Sequence, residues 1–291
     1  TGIALGSGFL MDGEGSIAVA DSASAYLSTE TEATLPVHCN MVSAQLAVSA
    51  CTHRGGRREN QDRFLIDPQH NLLVVADGVG GLREGGLAAE LACKTIQADV
   101  SAGLTLDRAV RRCSGVIAKE ATLRGVAGGM GSTVVAMQWQ GARFQLVWVG
   151  DSSARTYWED CCHRLTRDHS EAAEWAKYGI LTESTALGHP RKHVLTQALG
   201  VTPGSELRLG RNEGVLRAGE WLLLSSDGVT NTLTSEEIAR QLDDTKHAEA
   251  VAGSLMESVL ASEPSDNATL ILARWSGPSA APADLPRVYP A

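Results

Sequence analysis

The sequence predicts a layered α+β fold, and the order of its periodic segments is the main reason. Between residues 46 and 275 a pair of predicted strands is followed by a pair of helices and then by further strands. Elements that come in pairs are typical of antiparallel sheets covered by helices, whereas parallel sheets alternate strand and helix. With 291 residues, 43% of them hydrophobic, the chain can bury a large core, which excludes a disordered protein.

Each element is assigned from its own pattern. Short apolar runs bounded by turn residues predict strands, and apolar residues at helical spacing predict helices. The Thr234–Glu237 segment has the capping-box pattern that begins a helix, which we expect to run to about Leu242. The predicted strands are Arg63–Ile66, Leu72–Ala76, Ser132–Gln138, Phe144–Val149, Trp221–Ser226 and Ala268–Trp275, and the other predicted helices are Gly86–Val100, Leu106–Arg124 and Ala248–Ala261.

The two ends of the chain have a different composition. Residues 1–45 are rich in Gly, Ala and Ser, contain five acidic residues and no Lys or Arg, and are expected to be a disordered leader, a linker or a fragment of an upstream region. Residues 276–291 contain four of the nine prolines and are expected to form an extended tail. The net charge of −9 falls to −4 without the leader, so the chain has no general affinity for nucleic acid.

The cysteines and the hydropathy pattern place the protein in the cytoplasm. None of the six cysteines forms a C-x-x-C pair, and their scattered positions are typical of reduced residues in a cytosolic protein. No apolar stretch approaches the length needed to cross a bilayer, so we expect no insertion into a membrane.

Acidic residues stand at the ends of several predicted strands. Two apolar runs end in Asp-Gly, at Asp77-Gly78 and Asp227-Gly228; a third ends in Asp151, and Asp266 precedes a fourth. Asp-Gly alone is a favoured turn dipeptide, so either copy in isolation indicates only a turn. Several carboxylates at one sheet edge, however, repel one another unless hard divalent cations such as Mg²⁺ or Mn²⁺ lie between them. The pattern therefore indicates a metal-dependent enzyme.

A basic residue and an acidic residue precede the first hairpin, in the segment from Arg57 to Asp62. An exposed charged turn is the ordinary interpretation of such a segment. In the functional interpretation Arg57 binds a phosphate group, because a planar guanidinium matches two phosphate oxygens, and Asp62 holds a metal ion.

Taken in order, these motifs resemble the protein phosphatase 2C family, the metal-dependent protein serine/threonine phosphatases, in its compact bacterial form. The ordered set is specific, although each motif alone is weak. It consists of Arg57-x-x-Asn60-Gln61-Asp62, Asp77-Gly78-x-Gly80-Gly81, Gly131-Ser132-Thr133, Gly150-Asp151-Ser152, Leu165-Thr166-x-Asp168-His169-Ser170, Leu195-Thr196-x-Ala198-Leu199-Gly200, Ser226-Asp227-Gly228 and Asp266-Asn267-x-Thr269.

The resemblance implies a four-layer αββα sandwich over residues 46–275, with a binuclear Mn²⁺ or Mg²⁺ site at one end. It implies that Asp77 bridges both metals, that Asp62 and the Gly78 carbonyl hold the second, and that Asp227 and Asp266 hold the first. By the same resemblance, Asp151 reaches a third, weaker metal together with Asp227, and Arg57 binds the substrate phosphate. A flap from Thr166 to Leu195, which contains Asp168, His169 and Ser170, lies beside the site.

Some positions depart from the family pattern. Val79 stands where many animal members have a histidine, so that general acid is absent, and His169 and His189 are more simply interpreted as structural residues than as substitutes. Ser153 stands where the family usually has Arg, and Arg155, two residues along the same strand face, is expected to compensate in part. Gln61 stands where some members have Glu, and Gln197 replaces an Arg that is common in the family.

The implied function is hydrolysis of phosphoserine and phosphothreonine by attack of a metal-bridging water or hydroxide, with phosphoproteins of a bacterial Ser/Thr kinase as substrates of a monomeric signalling enzyme. Two alternatives stay open. One is a catalytically silent module that binds phosphoproteins, against which the retained Asp62, Asp77, Asp227 and Asp266 argue. The other is a hydrolase of a different phosphomonoester.

Overall fold

The computed structural model describes residues 9–11, 16–19, 25–26, 37–42, 45–79, 84–126, 128–159, 161–242 and 247–278. Its strands are β1 (Phe9–Met11), β2 (Ser16–Val19), β3 (Ala25–Tyr26), β4 (Val37–Val42), β5 (Leu46–His53), β6 (Asp62–Asp67), β7 (Leu72–Asp77), β8 (Val134–Gln140), β9 (Arg143–Val149), β10 (Ser153–Trp158), β11 (Cys161–Arg164), β12 (Gly210–Val215), β13 (Trp221–Ser225) and β14 (Ala268–Trp275). Its α-helices are α1 (Gly85–Ser101), α2 (Leu106–Leu123), α3 (Glu171–Lys177), α4 (Glu183–Leu187), α5 (Asp227–Thr230), α6 (Ser235–Ala239) and α7 (Ala248–Ala261), and Pro190–His193 forms a 3-10 helix.

The strands form two sheets, as the α+β prediction requires. One sheet has the order β1-β2-β4-β5-β14-β13-β10-β11, and the other has the order β12-β9-β8-β7-β6-β3. All pairings are antiparallel except that of β2 with β4. Helices α1 and α2 cover the six-stranded sheet, and α7, with α5 and α6, packs on the eight-stranded sheet. The predicted αββα sandwich is confirmed.

The central strands are apolar along their whole length because both of their faces are buried. In β7, Leu73 and Val75 face the other sheet, whereas Leu72, Val74 and Ala76 face α1 and α2. The strands β13 and β14 divide their residues between the sandwich interior and α7 in the same way. Successive side chains of a strand point to opposite faces, so a doubly covered strand has a continuous apolar run.

The paired elements predicted from the sequence are confirmed, and α7 and β14 have the predicted bounds. The capping box is present, with Thr234 and Glu237 each bonded to the other's backbone amide. The second strand-Asp-Gly ending differs from the expected turn, because Asp227 begins the short helix α5. Strands β5, β11 and β12 were not among the predicted elements, and β10 was expected only through the shared strand face of Ser153 and Arg155.

The expected leader contributes strands to both sheets. Four strands lie within residues 9–42, and β4 pairs with β5 from Val37 opposite Thr52 to Val42 opposite Ala47. Without β4, the outer edge of β5 would have unpaired backbone amides and carbonyls, which an added extended segment satisfies. The segment is thus ordered where these strands lie, whereas its assignment as a leader or linker stays a prediction. The predicted Gly80-Gly81 turn and the tail beyond residue 278 lie outside the described residues.

None of the helices in the described residue ranges is both long enough and apolar enough to cross a membrane.

The structure predicts opposite effects for two Gly-to-Ala substitutions. Gly115 is exposed within α2 and has open space around it, so Gly115→Ala should raise the free energy of unfolding by about 0.5–1 kcal/mol through helix propensity. A Cβ at Gly228 would lie 1.9 Å from the carbonyl oxygen of Asn267, so Gly228→Ala should lower it by about 2 kcal/mol or more. Urea unfolding of both variants checks the pair; equal values for the two would contradict the packing of α5 against β14.

Candidate active site

The acidic residues predicted from the sequence lie at one end of the sandwich because of the strand directions. Asp62 begins β6 and Asp77 ends β7, while Asp227 follows β13 and Asp266 lies just before β14. In an antiparallel pair the end of one strand lies beside the start of the next, so each pair of neighbouring strands brings two carboxylates to the same edge. Asp151 joins them from the connection between β9 and β10.

Asp62 and Asp77 are directly opposite each other in the β6–β7 ladder. Only 2% of Asp62 is exposed, and its Oδ2 accepts a hydrogen bond of 2.8 Å from the Ser226 hydroxyl. Its Oδ1 is buried and has no hydrogen-bond partner. Burial raises the pKa of Asp62 to about 6, although the hydrogen bond from Ser226 lowers it in part. The site therefore holds an anionic oxygen that lacks the partner such atoms normally have.

Asp77 lies where the other carboxylates converge. Burial raises its pKa well above the usual value, and repulsion by Asp62, Asp227, Asp151 and Asp266 raises it further. Its backbone is fixed by two bonds to Thr133, whose Oγ1 accepts from the Asp77 amide at 3.2 Å and whose amide donates to the Asp77 carbonyl at 2.8 Å. Asp77 is thus held in an unfavourable electrostatic position by backbone contacts.

Arg57 and Asp266 form an ion pair at the mouth of the site. The Arg57 Nη2 donates to Asp266 Oδ2 at 2.7 Å, and the two side chains are 49% and 39% exposed. This bond to Asp266 raises the pKa of Arg57. A pair this exposed contributes little to stability, so both groups can exchange their partner for a ligand at small cost.

Asp227 is the first residue of helix α5, and two polar side chains lie close to its carboxylate. Asn231 Nδ2 donates to its Oδ2 at 3.0 Å, and the Nδ1 of His193 lies 3.6 Å from the same oxygen. The neighbouring Asp151 has a pKa raised well above its usual value by burial and then by Asp227.

Asp168, His169 and Ser170 join the predicted flap to the site. Asp168 forms an ion pair with Arg164, and the Ser170 hydroxyl caps α3. The His169 amide donates to the Gly150 carbonyl at 2.9 Å, and its Nδ1 accepts from the Gly150 amide at 3.3 Å. His169 stacks on Trp148 and is not among the residues that line the cleft, which supports a structural role. His189 likewise caps the 3-10 helix.

The carboxylates and Arg57 open into a cleft of about 1130 Å³. Its lining includes Arg57, Asp77, Gly78, Val79, Asp151, His193, Asp227 and Asp266, whereas Asp62 lies buried behind it. In the described part of the chain, no three His, Cys, Asp or Glu side chains are already arranged as a metal site. The donor set nevertheless fits hard divalent cations: it consists of carboxylate oxygens, one of them buried without a partner, whose mutual repulsion a cation would relieve.

Sequence reasoning missed three residues that build this site. Ser226 binds Asp62, and His193 lies between the cleft and a neighbouring cavity. Asn267 accepts from the Gln61 amide at 2.8 Å and donates to the carbonyls of Arg54 and Glu59, so it fixes the loop that carries Arg57. The sequence contained a signal for Ser226 and Asn267, because both belong to the motifs that resemble the family; it contained none for His193.

The positions that depart from the family pattern have structural roles. The Gln197 side chain accepts from the Arg208 amide at 2.8 Å. Arg155 donates to the Ser153 hydroxyl at 2.9 Å, so these two residues lie on one strand face as expected. Val79 lines the cleft without a group that could donate a proton.

Comparison with known proteins identifies the family. The sequence profile described as protein phosphatase 2C matches residues 51–262. The chain belongs to the protein phosphatase 2C family. The serine/threonine phosphatase Stp of Listeria innocua is 29% identical over 228 residues, which cover 75% of this chain and 87% of Stp.

Solved structures of phosphatase 2C relatives have the same fold. The crystal structure of the Mycobacterium tuberculosis serine/threonine phosphatase PstP is 28% identical and covers 79% of this chain and 98% of that one, with a TM-score of 0.70. A catalytic domain of PstP in complex with two manganese ions is 27% identical, with the same coverage and a TM-score of 0.69.

The environment of His169 predicts an acid-sensitive contribution to stability. Burial lowers the pKa of His169 to about 4 from 6.5, so the unfolded chain binds its proton first as the pH falls. Stability should therefore decrease between pH 6.5 and pH 4, by about 3 kcal/mol for this residue. In His169→Asn the amide oxygen can still accept from Gly150, and the decrease measured by urea unfolding should be smaller by that amount. Parallel curves for the two proteins would contradict the prediction.

Proposed function

We propose that this protein is a metal-dependent protein serine/threonine phosphatase that hydrolyses phosphoserine and phosphothreonine. One observation carries the proposal: Asp77, Asp227 and Asp266 converge with Arg57 at a single cleft, with Asp62 buried behind it, in a chain of the protein phosphatase 2C family. The catalytic domain is assigned to residues 46–275, the span in which all of these groups lie.

The proposed metal ligands follow from the geometry and the resemblance. Asp77, at the centre of the carboxylates, would bridge two Mn²⁺ or Mg²⁺ ions; Asp62 and the Gly78 carbonyl would hold one, and Asp227 and Asp266 the other. Asp151, beside Asp227, would hold a third, weaker ion. When bound, such ions generate a nucleophile from water at neutral pH and stabilise the attacking and leaving oxygens of an in-line displacement.

The chain's own residues bind and orient the substrate. Arg57 releases Asp266 and binds the phosphate through two parallel N–H groups. Such charge-assisted bidentate hydrogen bonds are stronger than neutral ones. Asn267 keeps the Arg57 loop in place. Ser226 holds Oδ2 of Asp62, which leaves the unpartnered Oδ1 available to a metal ion. The leaving group takes its proton from a donor other than position 79, because Val79 has none.

The cellular setting is proposed from the same basis. The substrates would be phosphoproteins of a bacterial Ser/Thr kinase, and the enzyme would act as a cytoplasmic monomer without nucleic acid or membrane partners. The alternative of a silent binding module is less favoured, since crowded carboxylates are costly unless cations use them. A hydrolase of another phosphomonoester is distinguished by its substrate.

We expect phosphate release from a phosphothreonine peptide to require Mn²⁺ or Mg²⁺. EDTA should abolish it, and Asp77→Ala and Asp227→Ala should each lower kcat at least about 100-fold, because each removes a metal ligand. Asp107→Ala, which changes an exposed carboxylate that is not in the cleft lining, is the matched control and should retain activity. Wild type as inert as the variants at saturating Mn²⁺ would favour the silent module. Activity on small phosphoesters alone would favour the other hydrolase.

Neutralising Asp77 should stabilise the metal-free protein while it abolishes activity. Removal of one of several mutually repelling carboxylates in Asp77→Asn should raise the free energy of unfolding in EDTA at pH 7.5 by about 1 kcal/mol. Mn²⁺ should raise the melting temperature of wild type and have much less effect on the variant.

The matched control is Asp67→Asn, at a buried carboxylate with favourable partners. Asp67 accepts from Gln97, His70 and two backbone amides, and these bonds lower its pKa despite its burial. Its neutralisation should therefore destabilise the protein by about 1–3 kcal/mol. Destabilisation by both variants would show that Asp77 is not under electrostatic strain.

A further inference from the structure

A second cavity adjoins the phosphate cleft beneath the flap. It has a volume of about 660 Å³ and shares Asp151, His193 and Asp227 with the cleft. Its other walls come from β10, β11, the flap and the first turn of α6. A peptide whose phosphorylated residue occupies the cleft therefore has room for a neighbouring side chain in this cavity.

Two arginines on its wall are placed directly opposite each other. Arg155 of β10 and Arg164 of β11 are cross-strand partners, an arrangement of like charges that is destabilising. Arg164 is compensated by its ion pair with Asp168. Arg155 is half-buried and hydrogen-bonds only to the Ser153 hydroxyl, and no carboxylate of the described residues lies within 4 Å of it. Its guanidinium therefore makes no ion pair of its own and has only the longer-range attraction of Asp168, which is already paired with Arg164.

A second cation on the cavity wall is also uncompensated. The Lys192 ammonium donates to Asn231 Oδ1 at 2.9 Å, which is a neutral acceptor. Arg167, by contrast, is paired with Glu183.

Among the described residues, none of the carboxylates of the lining forms an ion pair with Arg155 or Lys192. Asp151 and Asp227 face the proposed metals, Asp168 and Glu183 have arginine partners, and Glu236 is exposed at the first turn of α6. Two cations in a partly enclosed space favour an anion there, because a half-buried charge without a partner is costly.

We propose that this cavity is a second anion-binding subsite, in which Arg155 and Lys192 bind a carboxylate or a second phosphate that lies near the phosphorylated residue of the substrate. This inference rests on the proposed phosphatase function and names a substrate class for it: peptides with an acidic or a second phosphorylated residue close to the scissile phosphate.

The test compares phosphothreonine peptides that differ in one neighbouring residue. Glu, its uncharged match Gln, or a non-hydrolysable phosphonate mimic of phosphothreonine is placed in turn at each position from three residues before to three residues after the phosphothreonine. For wild type, kcat/KM should be about tenfold higher for Glu or for the phosphonate than for Gln at one position, which corresponds to about 1.4 kcal/mol. Preference for both identifies a general anion site, and preference for the phosphonate alone identifies a phosphate site.

The variants decide whether Arg155 is responsible. In Arg155→Met the ratio of kcat/KM between the anionic and the Gln peptide should fall towards one, and in Arg155→Lys it should be retained in part. Lys192→Met, on the 3-10 helix, should also lower this ratio. It provides the test if Arg155→Met fails to fold. Arg217→Met, at an arginine that stacks on Trp158 outside the cavity, is the control and should keep the ratio.

Equal kcat/KM values for the anionic and Gln peptides with wild type, or an equal loss for both peptides in Arg155→Met, would overturn the inference. Binding of the same peptides, labelled with fluorescein, is measured by anisotropy in EDTA, so the subsite is tested even if no peptide is hydrolysed. Hydrolysis without anion preference would refute the subsite alone, and anion-dependent binding without hydrolysis would refute the phosphatase function alone.

Discussion

Electrostatic repulsion among carboxylates is the constraint on which the rest of this structure depends. Five aspartates converge on one end of the sandwich, and the central one has its pKa raised by burial and by the four others. The backbone pairing of β6 with β7 and of β13 with β14 forces them together, and the buried apolar faces of those strands supply the stabilisation that offsets the repulsion.

The polar residues around the carboxylates make this arrangement tolerable. Ser226 links the two sheets, because it donates to Asp62 from the end of β13 and accepts from the Thr269 amide of β14. Asn267 makes three hydrogen bonds to the backbone of the loop before β6. Each bond fixes a backbone segment that carries a charged side chain, so the carboxylates cannot move apart without breaking buried hydrogen bonds.

The elements that have a regular pattern of apolar residues along the chain could be predicted from the sequence. The strands β6, β7 and β14 and the helices α1, α2 and α7 have continuous apolar runs or helical spacing because their surroundings are uniformly apolar. Strand β12 could not be found in this way, since its Gly-Arg-Asn-Glu-Gly sequence lies at a sheet edge and pairs through its backbone with β9.

The residues of the candidate site likewise fall into those that the sequence predicted and those that it did not. Its carboxylates stand at strand ends and could be recognised, and the family pattern supplied Arg57. His193, by contrast, lies beside Asp227 only because the folded flap brings it there, and no sequence motif includes it. The flap is tied down at both ends, by Gly150 with His169 and by Ser170 with Leu195, so its 3-10 helix is held over the boundary between cleft and cavity. The residues that close the site and divide it into two compartments are therefore specified by contacts between distant parts of the chain.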